Sequence, residues 1–229
     1  MLEITKTNVW GFDAAIRGMR NPLESWNKMD SYPYIQNGKA YEVVMPNDKA
    51  LMKKLADAGD DHGKFMRMIN VTCDITAPLY WWKEFDTYKV GTVANSCSTM
   101  HKIQAHEFTW DMFSFEHCWD IGGKHYGAMT WKGGKRPFAS CDMEWIYNSI
   151  LATLNECRRL YLETGDKKYW WQMIQLLPSS YNQKRTVQLN YQVLKHIYHA
   201  RKNHKLDEWH TFCDWIKTLP ESNLITGEE

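Results

Sequence analysis

Residues 75–101 read ITAPLYWWKEFDTYKVGTVANSCSTMH, and the fold turns on how this stretch is divided. Ala77-Pro78 follows a β-branched run. Proline's fixed φ and missing N–H suit the first turn of a helix, so a helix is expected from Pro78 to about Lys89. Trp81, Trp82, Phe85 and Tyr88 line it, and the spacing of Trp81, Phe85 and Tyr88 places them on a core-facing side. Residues 90–100 are small and polar and are not expected to continue the helix. Ser96, Ser98 and Thr99, with the backbone N–H groups of a loop, are candidates to cradle a phosphate. Cys97 in the same loop reads as a quiet thiol unless a cation lowers its pKa.

Working outward, FMRMINVTCDI (65–75) is β-branched with an apolar bias at odd positions, which predicts a strand. Before it, PNDKALMKKLADAG is expected to be a helix capped by Asn47 and closed by Gly59, and DAAIRGMR a short helix capped by Asp13. After it, residues 101–138 are mixed. The glycine pairs 122–123 and 133–134 flank KHYGAMTWK and predict a mobile hairpin or lid rather than a second domain. Four helices are expected in the remainder: one started by Asp142 and ended by Gly165, DKKYWWQMIQLLP stopped by Pro178, one over 182–203, and DEWHTFCDWIKTL. Strands first and helices later is an α+β arrangement.

The chain has 229 residues, 44% hydrophobic and 24% charged, enough for one domain with a real core. A formal net charge of +1 gives no global attraction to nucleic acid. The 12 tryptophans and 12 tyrosines can fill a core, stack on planar ligands or anchor an interface. No apolar run reaches the ~18 residues of a membrane span, and MLEITKTNVW does not read as a signal peptide. The six cysteines (Cys73, Cys97, Cys118, Cys141, Cys157, Cys213) form no CxxC pair and read as reduced thiols of a cytoplasmic protein. P-loop, GxGxxG, HExxH and GxSxG patterns are missing, so the common motif-defined enzyme classes gain no support.

Two further clusters carry potential chemistry. His196 and His199 lie one helical turn apart, with His204 and His210 beyond and Asp207 or Glu208 as carboxylates a metal would want; the plainer reading is partly exposed helix histidines. Lys184, Arg185, Arg201 and Lys202, placed on consecutive helix turns, could meet an anionic ligand or form a solvated helix face.

Two ungapped segments resemble the flavin-dependent thymidylate synthases, the thymidylate synthase complementing protein family. Ala77-Pro78 opens the helix that in the family leads to R-H-R-x-x-S-x-N-E-x-S-x-R-Y, and that signature lies over residues 87–100. Upstream, His62 falls where the family often has a histidine beside its flavin. Downstream, Leu177-Pro178 looks like the family's L-P pair, Asn190 like the Asn of N-x-R, and Arg201 like the arginine closing the next helix near the nucleotide base. These segments cover about a third of the chain.

The resemblance implies an α+β, thymidylate synthase-complementing-protein-like fold. It has a central antiparallel sheet with helices, a mainly helical C-terminal half, and one domain over 1–229 with a variable Gly-rich insertion around 101–138. It implies conversion of dUMP to dTMP with FAD, NADPH and methylene-tetrahydrofolate in a cytoplasmic homotetramer with shared active sites, without a metal. By position it assigns Arg201 to catalysis, and His62, Tyr88, Lys89, Asn95 and Asn190 to the flavin. Glu84, Thr87, Ser96, Cys97, Ser98, Thr99 and Arg201 are assigned to the pyrimidine deoxynucleotide.

The signature is heavily substituted: Thr87, Tyr88 and Lys89 stand for R-H-R, Thr92 for Ser, Ala94-Asn95 for N-E, Cys97 for Ser and Thr99-Met100 for R-Y. Gln192 replaces the N-x-R arginine and Ile174 the arginine before L-P. Lys89, Arg201, Lys184, Arg185 and the lysines of the Gly-rich middle are the groups left to compensate. Three functions follow: a divergent thymidylate synthase, a relative that methylates or hydroxymethylates another pyrimidine nucleotide, or a non-catalytic nucleotide-binding or structural homologue.

Overall fold

A computed structural model describes residues 2–118, 128–131, 134–137 and 143–228. In chain order the strands and helices begin with β1 (Glu3–Trp10), α1 (Phe12–Arg20), β2 (Tyr32–Gln36), β3 (Lys39–Val43), α2 (Pro46–Asp57), β4 (Asn70–Pro78) and α3 (Leu79–Phe85). Next come β5 (Val93–Ser96), α4 (Thr99–Lys102), β6 (Ala128–Trp131), β7 (Gly134–Pro137), α5 (Met143–Thr164) and α6 (Lys167–Leu176). The chain closes with β8 (Asn182–Asn190), α7 (Tyr191–Arg201), α8 (Asp207–Lys217) and α9 (Asn223–Thr226). The fold is α+β, with antiparallel pairing in the sheet and a mainly helical C-terminal half.

The chain divides into two compact units. The larger holds residues 2–76, 81–96 and 184–229. Its sheet has the order β1-β4-β8-β5. β4 follows the odd-position rule of its sequence: Val71, Cys73 and Ile75 are buried and the residues between them are not. Trp81, Trp82 and Phe85 of α3 are buried, with Trp81 4.8 Å from Trp209 and stacked on Phe85 at 5.0 Å. Tyr88 is half-buried, so Trp82 takes the core position expected for it.

Several element boundaries differ from those expected. Helix α3 stops at Phe85 rather than near Lys89, and Pro78 ends β4 instead of entering the helix. The segment expected as a polar loop contains β5, which pairs antiparallel with β8 from Val93↔Gln188 to Ser96↔Arg185. Residues 182–190, expected as the first turns of a helix, form β8. Val187 and Leu189 are buried while Lys184, Thr186 and Gln188 are exposed, a period of two that the helical pattern of the 11-residue α7 after it masks. The sheet therefore takes a strand from the last quarter of the chain, so strands do not all precede helices.

Caps differ too. Asp13 lies inside α1, whose first N–H groups are bound by a distant carboxylate: Glu42 Oε2 accepts from Gly11 and Phe12, and Oε1 from Asp13, at 2.8–3.0 Å. Gly11 has φ +102°, and a Cβ there would sit 2.2 Å from the Met68 carbonyl oxygen, so glycine is required. Helix α2 starts at Pro46, and Asp30 rather than Asn47 accepts its first N–H groups, from Asn47 and Asp48.

The smaller unit holds residues 77–80 and 97–183. Its core is Ile103, Phe108, Phe113, Phe115, Leu151, Leu154, Cys157 and Met173. Helices α5 and α6 form the expected pair, ended by Gly165 and capped by Asp166, whose side chain accepts from Lys168 N. The glycine-rich segment contains the β6–β7 hairpin. Gly122, Gly123, Gly133, Cys141 and the expected cap Asp142 lie outside the described residues. Among the described residues no helix is long and apolar enough to cross a membrane.

Candidate functional site

In the larger unit a cleft of about 250 Å³ opens beside the end of α3, lined by Phe85, Asp86, Tyr88, Lys89, Thr92 and Ala94. All six lie in or next to the opening stretch. Helix α3 ends at Phe85, and a turn closed by Tyr88 N donating to Phe85 O at 3.0 Å carries the chain to Lys89. Gly91 then holds φ +80°, and a Cβ there would lie 2.9 Å from Asn190 Nδ2, so only glycine brings this turn against the cap of α7. Asn190 is that cap: its Oδ1 accepts from Val193 N at 3.0 Å. Lys89 is exposed at the cleft. Thr92 Oγ1 is buried and has no hydrogen-bond partner among the described residues. A buried hydroxyl without a partner costs stability, and the residue that carries it lines the cleft.

Behind Tyr88 lies a charged network. Arg201, at the end of α7, donates through Nε to Tyr88 Oη at 2.9 Å and through Nη1 to Glu84 Oε2 at 2.8 Å. Its guanidinium carbon lies 4.8 Å from the Trp209 ring centre and 5.6 Å from that of Tyr88. The same Glu84 oxygen accepts from Trp209 Nε1 at 3.0 Å and lies 3.3 Å from His204 Nε2. His204 Nδ1 accepts from Leu206 N, so the neutral ring carries its hydrogen on Nε2 and points it at Glu84. Glu84 is in the last turn of α3 and Tyr88 in the turn that follows it, and both meet Arg201 of α7.

The other expected residues are spread more widely. Asn95 and Ser96 are exposed on β5, opposite Thr186 and Arg185. Because β5 is extended, its N–H groups do not converge as a phosphate-binding loop would require. Cys97, Ser98 and Thr99 belong to the smaller unit. There the Cys97 carbonyl accepts from Gln183 Nε2 at 2.8 Å, and Ser98 Oγ caps α4 by accepting from His101 N. Thr87 donates to the Glu84 carbonyl at 2.7 Å. His62 is exposed, just before the 3-10 turn at Gly63–Met68.

The basic set does not lie on one helix. Lys184 and Arg185 are on β8, where Lys184 pairs with Asp74 at 3.1 Å and Arg185 with Asp86 at 2.7 Å, over the Trp82 ring. Lys202 lies 5.7 Å from the Tyr198 ring centre. The histidines separate as well: His196 bonds Asp60 at 2.9 Å beside Gln192, His204 faces Glu84, and His210 is 3.8 Å from Asp207. The bond from His196, then that from Gln192, holds the Asp60 carboxyl below its usual value. Among the described residues no group of three or more His, Cys, Asp or Glu could hold a metal ion.

Sequence reasoning named Glu84, Tyr88 and Arg201 separately but missed that they form one network with Trp209 and His204. The i, i+4 spacing of Glu84 and Tyr88 was a usable signal; nothing local points from either to Trp209. The unpartnered Thr92 hydroxyl had no sequence signal.

The whole chain is similar to solved structures of one fold. Thymidylate Synthase X from Helicobacter pylori, solved with FAD and dUMP, superposes with TM-score 0.63 at 14% identity, covering 100% of this chain and 98% of that one. A second structure of the Helicobacter pylori flavin-dependent enzyme, complexed with FAD and dUMP, gives 0.63 at 15% identity, covering 99% and 98%. The UMP/dUMP methylase PolB from Streptomyces cacaoi, bound with 5-Br dUMP, gives 0.57 at 12% identity, covering 99% and 94%. At these identities the likeness establishes the fold. The sequence matches no protein-family model and no curated protein.

Proposed function

We propose that this chain is a flavin-dependent enzyme that modifies the pyrimidine ring of a deoxynucleotide, with reductive methylation of dUMP to dTMP as the specific reaction. The observation that carries the reading is the Lys89–Thr92 cleft: a cation, a buried unpartnered hydroxyl and the Phe85 and Tyr88 rings meet in the segment that resembles the family's signature. The full-length likeness to proteins solved with FAD and dUMP supports it.

The residues present fit part of a flavin nucleotide. Lys89 would hold an anionic arm, Thr92 Oγ1 would bond a polar edge, and the aromatic wall would pack against a flat ring. The cleft's roughly 250 Å³ is below the ~300–1,000 Å³ usual for an enclosed drug-sized ligand. Completion of the site by a second copy, in a homotetramer with shared sites, belongs to this proposal, as does one functional domain over 1–229. When bound, the flavin supplies the redox chemistry, with NADPH and methylene-tetrahydrofolate as the source of reducing equivalents and carbon. The chain's own residues bind and orient. Arg201 fixes Tyr88 at the cleft wall, and Asn190 and Gly91 fix the turn that presents Lys89.

One observation favours a second reading, a nucleotide-binding homologue without catalysis: Arg201, Arg185 and Lys184 each already hold a carboxylate. Absorbance separates the two. FAD added to the purified protein and retained through gel filtration supports the enzyme; a protein that never takes up FAD excludes it. Thr92→Val sharpens the test. It should stabilise the ligand-free protein by about 1 kcal/mol, because the buried unpartnered hydroxyl is removed, and weaken FAD binding. Unchanged FAD affinity would take Thr92 out of the site.

A further inference from the structure

We propose that Asp86 is a specificity-determining residue of the cleft: its carboxylate accepts hydrogen bonds from the ribityl hydroxyls of a flavin, beside the phosphate held by Lys89. The inference rests on the reading of the cleft as part of a flavin site and adds which part of the flavin is recognised there.

Asp86 lines the cleft together with Lys89 and Thr92. It stands outside the residues that the resemblance assigns to flavin or nucleotide. Its backbone N–H follows the end of α3 and donates to Trp82 O at 2.8 Å, and its side chain is 49% exposed. Oδ1 accepts from Arg185 Nη1 at 2.7 Å, and the Arg185 guanidinium carbon lies 4.1 Å from the centre of the buried Trp82 ring. The carboxylate is therefore held by an arginine that itself rests on a fixed ring, and a group so placed loses little freedom when a ligand binds. Oδ2 has no hydrogen-bond partner among the described residues. An ionised carboxylate only accepts hydrogen bonds, so what it takes from a ligand is an N–H or O–H group.

A flavin carries such donors in two places, the imide N–H of its ring and the hydroxyls of its ribityl chain. Lys89 decides between them. It lines the same cleft, and the ion pair that Asp86 makes among the described residues is with Arg185, so the two cleft charges do not cancel each other. In FMN and FAD the ribityl hydroxyls adjoin the phosphate, whereas the imide is at the far end of the molecule. A cleft of about 250 Å³, below the ~300–1,000 Å³ usual for a whole ligand, holds the phosphate and the group next to it rather than both ends. With the phosphate on Lys89, the donors within reach of Asp86 are the hydroxyls, and bonds from them to a carboxylate are charge-assisted.

The test is fluorescence titration of three flavins that differ by one part each: lumiflavin, riboflavin, which adds the ribityl chain, and FMN, which adds the phosphate. Each is titrated into the wild-type chain, Asp86→Asn and Lys89→Ala. Asp86→Asn keeps an oxygen for Arg185 and replaces the second acceptor by a donor. The wild type should prefer riboflavin to lumiflavin by about tenfold or more, one charge-assisted bond's worth. Asp86→Asn should bring these two to equal affinity and leave the ratio of FMN to riboflavin unchanged. Lys89→Ala should do the reverse. A structural role for Asp86, or a bond to the ring imide, would instead weaken all three flavins by one factor in Asp86→Asn, and that result overturns the proposal. So does a riboflavin preference that is missing in the wild type or persists in Asp86→Asn; in each of these cases the flavin site stands. Failure of the wild type to bind any of the three, or FAD, overturns the flavin reading and this inference with it. Should Asp86→Asn fail to fold, as judged by circular dichroism, Asp86→Ala takes its place with the same expected ratios.

Discussion

Arg20 meets Asp48 at 2.6 Å with side chains 4% and 0% exposed, whereas Arg201 meets Glu84 at 2.8 Å with side chains 19% and 34% exposed. The chemical groups are the same, and the surroundings differ. Asp48 also accepts the N–H groups of Asp30 and Ser31, and Arg20 also reaches Ser25, so the buried pair ties α1, the segment before β2, and α2 together. The Glu84 pair lies behind Tyr88, and its neighbours are aromatic rings and a histidine rather than backbone. Burial makes the first pair structural, because removing either charge strands the other in a low-dielectric interior. Partial exposure lets the second be altered at modest cost.

The largest effect that would break this contrast is in stability. Asp48→Ala leaves a buried guanidinium and two unpartnered N–H groups and should cost about 3–5 kcal/mol in urea denaturation. A cost near zero would mean that Arg20 finds water, and the contrast fails. Acid gives the same contrast by another route. Burial by itself would push the Asp48 carboxyl up, but hydrogen bonds from Ser31, Arg20 and the Asp30 backbone hold it below the ordinary aspartate value of 3.8. A depressed carboxyl stabilises the fold above its unfolded value, and that contribution is lost as pH falls through the folded one. The stability gap between wild type and Asp48→Asn should therefore be full at pH 7 and shrink below about pH 3.8. A gap that does not change with pH would place the effect in packing.

Smaller effects sharpen the other half. Glu84→Gln should cost less than about 2 kcal/mol, since the acceptor stays and the pair is partly solvated; a loss as large as that of Asp48→Ala would make Glu84 structural too. Tyr88→Phe removes the acceptor of Arg201 Nε and should cost about 0.5–1.5 kcal/mol, read as a lower thermal midpoint with the secondary structure unchanged.

The two networks were unequally legible before the structure. In the opening stretch the helix and the burial of Trp81 and Phe85 had local causes and were readable apart from exact ends, whereas the small polar segment after them, expected as a loop, contains β5. The alternation of Val71, Cys73 and Ile75 announced β4 in the same way. β8 did not announce itself, because QKRTVQLN alternates for only a few residues before a strong helical pattern begins. The caps failed for a related reason: Asp13 and Asn47 have the right chemistry locally, but Glu42 and Asp30, distant in sequence, arrive with better geometry.

By itself the sequence determined which segments are apolar on one face, where chain-breaking Gly and Pro fall, and which family's pattern the 87–100 and 177–201 segments resemble. Those are properties of residues a few positions apart, and period and φ preference act over that range. Tertiary structure alone decided that β8 joins the sheet between β4 and β5, that Thr92 Oγ1 is buried without a partner among the described residues, and that Arg201 is held by Glu84 and Tyr88. Residues 84 and 201 are far apart along the chain, and no local preference records which carboxylate folding will bring to which guanidinium.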